Sequence, residues 1–250
     1  MSSFAMSNIT METIGSSNSC ANLETRDTKG TSSALSRTLS CCVTIGDFAN
    51  HILIGGLTGF TLFHSLSFLH SKDINTRAVM SYLHIVFCTV GYVLLMSEAI
   101  VIFTGLAQPV PHRIKKNFHL VVQILGVMCT VVGIVLMFLL KSVHFKSIHA
   151  ILGLTSLVLM VPPFLSAFRY RQQWVRPIII KFFHNFFGLS CFVIGMAAQC
   201  YGYRMFGAIK LLSDDVDVRS ICIGITIVIT ILSVRRALPN IFKQFVSIFT

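Results

Sequence analysis

Four long apolar runs, each opening on a histidine, limit what this chain can fold into more than anything else in it. They are SYLHIVFCTVGYVLLMSEAIVIF with His84, NFHLVVQILGVMCTVVGIVLMF with His119, KSIHAILGLTSLVLMVPPFL with His149 and KFFHNFFGLSCFVIGMAAQCYGY with His184. The intervals between the histidines are 35, 30 and 35 residues, about one membrane crossing and a short loop each time. Consecutive crossings run in opposite directions, so His84 and His149 fall toward one face and His119 and His184 toward the other.

The runs are too long and too continuously apolar for the strands of a membrane barrel, which alternate. Inside a bilayer each segment must satisfy its own backbone, so the runs are helices. Six spans are expected, at 46–69, 79–104, 117–140, 147–168, 182–204 and 219–237. The fold class is all-α: an integral membrane six-helix bundle whose four central helices carry the histidines. With 54% hydrophobic and 12% charged residues the chain is far from a soluble average. The net charge of +11 comes from basic residues flanking the spans, not from one patch, which argues against a nucleic-acid partner.

Three regions follow: a segment 1–42 rich in Ser, Thr and Asn and expected to be disordered, a six-span domain 43–238, and a tail 239–250. The first segment lacks the basic and apolar regions of a secretory signal. Thirteen Lys and Arg flank the ends shared with the two termini: Arg26, Lys29, Arg37, Arg113, Lys115, Lys116, Arg169, Arg171, Arg176, Lys181, Arg235, Arg236 and Lys243. Seven lie on the other side, Lys72, Arg77, Lys141, Lys146, Arg204, Lys210 and Arg219, diluted by Asp73, Asp214, Asp215 and Asp217. This asymmetry puts both termini, His119 and His184 in the cytosol-facing half and His84 and His149 in the lumenal or external half. The eight cysteines show no framework of paired spacings; Cys41 and Cys42, ahead of the first span, are either palmitoylation sites or plain thiols.

One histidine in a span usually bonds a neighbouring helix. Four at equivalent ends of four spans point to a shared task, since polar groups there are costly. On the same helical faces lie Gly91 below His84, Gly126 and Gly133 below His119, Gly153 and Ser156 below His149, and Gly188 and Gly195 below His184. Small residues there give clearance to a large flat ligand, or simply let helices pack closely. Haem fits best. Two histidines facing across an iron leave no open position, and such a centre passes electrons. Zinc usually takes three or four protein ligands and fits two histidines less well.

The spacing of His84, His119, His149 and His184 resembles the cytochrome b561 family, six-helix proteins with two b-type haems. LMSEAIVIF, HLVVQILG and HFKSIHAILGL resemble that family's motifs, and ANHILIGGLTGFTLF resembles its shorter branch of transmembrane reductases. The likeness covers about 45–237. Ile85 stands where the family commonly has a proline, which removes a helix-start signal but no ligand.

The resemblance implies two haem b per chain, on His84 with His149 and on His119 with His184. It implies an enzyme taking electrons from cytosolic ascorbate and delivering them to monodehydroascorbate or a ferric chelate, and it carries an expectation of homodimers. For the ascorbate anion the candidates are Lys115 and Lys116 before His119 and Arg176 and Lys181 before His184. Against that, Lys and Arg at such ends are ordinary topology and headgroup contacts. His144 and Phe145 resemble an acceptor site, where an imidazole can also move a proton. His51, His64, His70 and His112 read as structural or surface residues, although His51 resembles a family position. Glu98 is the lone acid in the interior of a span, expected to be protonated or paired with Lys or Arg. The other readings are a proton or metal transporter using the same histidines, which their gathering at two separate levels disfavours, and a haem-binding scaffold without turnover.

Overall fold

The computed structural model describes the backbone of residues 12–70, 75–103, 109–169, 176–205 and 217–249, and their side chains from Arg37 onward except 167–169. Of the charged residues used to assign sides, Lys72, Asp73, Arg171, Lys210, Asp214 and Asp215 lie outside the described residues, as do the side chains of Arg26, Lys29 and Arg169. Among the described residues every regular element is helical.

The chain divides into two compact units, Met1–Ile45 and Gly46–Thr250. In the first, the backbone is helical from Glu12 and Cys41 and Cys42 are exposed. The composition leads one to expect no order up to residue 42. Residues 12–42 of that segment are helical, with no proline to interrupt them.

In the second unit α1 (Glu12–Leu69) supplies the first span. The second is composite: α2 (Thr76–Cys88), a π-helical segment (Thr89–Met96) and α3 (Ser97–Val101). Then come α4 (His112–Leu140), α5 (Ile148–Arg169), α6 (Pro177–Met205), α7 (Val218–Val234) and α8 (Ala237–Phe249). The starts follow ordinary capping chemistry. The Asn75 side chain accepts the Ala78 N–H at 2.9 Å, the Ser147 hydroxyl accepts that of Ala150 at 3.2 Å, and Pro177 occupies the first position of α6. Asp217 caps α7, accepting from Arg219 N–H and the Ser220 hydroxyl, and these bonds hold its carboxyl below the usual carboxylate range.

Among the described residues five helices are long and apolar enough to cross a membrane, spanning 37–69, 76–101, 112–140, 148–166 and 177–205. The sixth span expected at 219–237 is a pair, α7 and α8, bent by 41° at Arg235 and Arg236. The tail expected from 239 is thus helical. Its amphipathic helix packs on α6, with the Asn185 amide donating to Gln244 at 2.9 Å and the Phe182 and Phe245 rings 5.9 Å apart.

Two helix pairs make the centre of the bundle. The composite second span packs on α4, and α5 packs on α6. Two buried side-chain bridges join the pairs midway. Ser156 donates to the Cys191 carbonyl at 2.7 Å and accepts from the Tyr92 hydroxyl at 2.6 Å, and Gln199 donates to Thr89 at 2.9 Å. Around them close Ile54, Leu57, Val93, Met96, Phe192, Met196 and Ile229. The first span is fixed to α7 by Asp47, 2% exposed, which accepts from Arg235 at 2.5 Å and Arg236 at 2.6 Å. A further bond runs from Asn50 to Ser233 at 3.1 Å.

Candidate paired-histidine site

The four span histidines gather as two pairs. The rings of His84 and His149 have centroids 5.9 Å apart, and those of His119 and His184 stand at 6.1 Å. Each ring is held at Nδ1. His84 meets the Gly133 carbonyl, His119 that of Ala99 and His149 that of Ala198, each at 2.8 Å. His184 meets the Ser166 hydroxyl at 2.9 Å and the Pro163 carbonyl at 3.2 Å. A carbonyl only accepts, and the Ser166 hydroxyl already donates to Pro163 at 2.8 Å. Every Nδ1 must therefore carry the proton, which leaves Nε2 as the ring's ligating nitrogen.

These contacts follow a reciprocal rule. α4 provides His119 at one end and, fourteen residues on, the carbonyl that orients His84. α5 provides His149 and, fourteen residues on, the Pro163 carbonyl for His184. α6 provides His184 and, fourteen residues on, the Ala198 carbonyl for His149. At the α-helical rise, fourteen residues put the two levels about 21 Å apart. The composite second span needs fifteen residues from His84 to Ala99. Its π segment winds in more residues per turn than an α-helix, which absorbs the extra one and keeps Ala99 level with His119. The Ala99 carbonyl is free for the ring because α3 ends at Val101.

The glycines divide between two jobs. A Cβ on Gly133 would stand 2.7 Å from Cys88 Sγ and 3.3 Å from the His84 carbonyl. On Gly91 it would collide with Thr130, and on Gly195 with the Tyr92 ring, while on Gly126 it would meet the Gly91 carbonyl at 3.4 Å. These four let helices touch, as does Gly202, whose Cβ would stand 3.3 Å from the His149 ring. Clearance on the histidine face is found only at Gly153, with nothing within 4 Å, and Gly188, with Pro163 Cβ at 3.9 Å.

The geometry suits a flat metallo-ligand gripped from both sides. With metal–imidazole bonds of about 2 Å and each nitrogen about 1.2 Å from its ring centre, two rings sharing one metal stand roughly 6 Å apart. The two pairs match that spacing. Among the described residues no three or more His, Cys, Asp or Glu come together as a metal site, so a zinc-type donor set is absent there.

Of the expected donor-end cations, Lys115 is 7% exposed in the first turn of α4, four residues before His119. Lys116, Arg176 and Lys181 are exposed at the same ends of α4 and α6. At the other end His144 stacks on Phe138 at 4.1 Å with rings 12° from parallel. Its neighbour Phe145 has φ 58°, a conformation that a bulky side chain adopts only under strain. Sequence reasoning missed Ser166, Phe138 and Phe103, whose ring lies 5.4 Å from His119. For Glu98 the sequence leads one to expect a proton or a Lys or Arg partner. The partner is His51 of α1, with Nδ1 2.9 Å from the carboxylate.

A helical membrane bundle with two histidine pairs, one toward each end, defines a transmembrane redox protein of the haem-carrying kind. The eukaryotic cytochrome b561 profile matches residues 83–208, and the chain belongs to that family, whose members bind b-type haem and move electrons across membranes. Comparison with curated proteins finds no match.

Proposed function

We propose that this chain is an ascorbate-dependent transmembrane oxidoreductase. It takes electrons from cytosolic ascorbate and delivers them to monodehydroascorbate or a ferric chelate on the lumenal or external side. One b haem is held by His119 and His184 and a second by His84 and His149. The observation that carries the reading is the arrangement of the four imidazoles: paired at about 6 Å, each donating its Nδ1–H to an oxygen, each offering Nε2. Bound haem supplies reversible one-electron chemistry with no open coordination position.

The protein's own residues do the rest. Lys115, Lys116, Arg176 and Lys181 concentrate positive charge at the helix ends beside His119 and His184, which draws in an anionic donor. The excess of Lys and Arg there sets that end in the cytosol. At the opposite end His144, steadied against Phe138 and followed by the strained Phe145, presents an aromatic and an imidazole to the acceptor. The chemistry distinguishes neither acceptor, so a monodehydroascorbate reductase and a ferric-chelate reductase are two assays of one site.

The test is the visible spectrum of the purified chain on adding ascorbate. A low-spin b-type spectrum reduced by ascorbate is expected, with slower reduction and unchanged haem in Lys116→Ala. Protein that dithionite reduces and ascorbate does not would overturn the donor assignment.

A further inference from the structure

The His51–Glu98 contact has no part in holding the four ring histidines, yet it lies at a telling place. Glu98 is the second residue of α3, and the next residue, Ala99, gives the carbonyl that orients His119. His51 reaches it from α1, with Nδ1 2.9 Å from the carboxylate and the two side chains 33% and 26% exposed. A carboxylate in a span is costly, and a guanidinium or ammonium would neutralise it permanently. An imidazole is a different choice, because it can both accept and release a proton.

Other titratable and charged groups stand on the elements packed against α3. α3 packs against α4, α7 and the π segment. α4 contributes His112, Arg113, Lys115, Lys116 and His119, and the π segment contributes Tyr92. α7 holds Arg219 and Cys222 toward its start, and Arg235 and Arg236 follow its end already joined to Asp47, one turn before His51 on α1.

We infer that His51 and Glu98 form the proton-accepting pair for electron entry at the His119 and His184 end. The inference rests on the function proposed above and adds the fate of the proton. Ascorbate monoanion gives up one electron and one proton to become the monodehydroascorbate radical anion. The electron enters the group held at His119 and His184. The proton joins neutral His51, giving imidazolium against the Glu98 carboxylate. Proton uptake at the pair is thereby coupled to electron entry at that end.

The experiment is spectroelectrochemical titration of the full-length, haem-loaded protein between about pH 5 and 8, with mediators in place of ascorbate. The haem belonging to this end is the one lost in His184→Ala. Its midpoint potential is expected to fall with rising pH in the native sequence and to lose that slope in Glu98→Gln and in His51→Gln, while the other haem's behaviour is unchanged. His51→Gln separates a proton role from a tether, because the amide still donates to Glu98 but takes no proton. A slope that survives in His51→Gln, or its absence from the native protein, overturns the inference. Failure of ascorbate to reduce the protein would count against the donor alone, since the mediated titration does not depend on it.

Discussion

Replacing Gly133 by alanine tests how tightly the structure ties helix contact to ring orientation. The added Cβ would lie 2.7 Å from Cys88 Sγ and 3.3 Å from both the Cys88 nitrogen and the His84 carbonyl. Cys88 is buried and two of the three atoms are backbone, so α2 must move away from α4 by several tenths of an ångström. Overpacking of this kind costs about 1–3 kcal/mol. Stretching the 2.8 Å bond from His84 Nδ1 to the Gly133 carbonyl costs roughly 0.5–1.5 kcal/mol more. Against this, alanine favours the helix by about 1 kcal/mol. The net is a destabilisation of about 0.5–3.5 kcal/mol concentrated on one histidine pair. Loss of such an outer bond typically weakens metal binding by about 10–100-fold. Haem per chain and thermal unfolding in detergent are the assays. The expected result is loss of the haem at His84 and His149 with the other retained. Gly133→Ala protein holding two haems at an unchanged Tm would refute the reasoning. Gly153→Ala, with nothing within 4 Å, is the tolerated control.

Further outcomes follow from the same contacts. Gly188→Leu fills open space one turn from His184, so it should lower haem content at that end with helicity by circular dichroism unchanged. Asp47→Ala leaves Arg235 and Arg236 without their shared carboxylate and should cost about 3–5 kcal/mol in thermal or denaturant unfolding. Phe145→Gly relieves a left-handed residue worth about 1–3 kcal/mol of strain, so the fold should hold or gain stability while acceptor reduction slows. Unchanged acceptor kinetics in that variant would remove Phe145 from the acceptor site.

What the sequence could and could not disclose has physical causes. That His84 faces His149 and His119 faces His184 follows from counting alternate spans, because a helix crossing a bilayer has little freedom of direction. The atoms that orient the rings were invisible: they are backbone carbonyls of Gly133, Ala99, Ala198 and Pro163, and any residue has a carbonyl. The π segment left no signal either, since TVGYVLLM reads as ordinary apolar helix. Only its role in levelling Ala99 with His119 makes sense of the fifteenth residue. The small residues fit either clearance for a ligand or close helix packing, and most are points of helix contact, a distinction that depends on which side a neighbour approaches. The general cost of buried charge predicts a proton or a Lys or Arg partner for Glu98, whereas the residue that meets it is His51. The bend between α7 and α8 was missed because apolar character continues through ALPNIFKQFVSIF after the two arginines.

The central claim is that each histidine pair holds one haem. The most direct measurement is haem per chain, by extraction and pyridine haemochrome, in the native sequence, His84→Ala, His119→Ala and the double variant. The account expects two, one, one and none. One haem in the native protein, or two retained in either single variant, would contradict it.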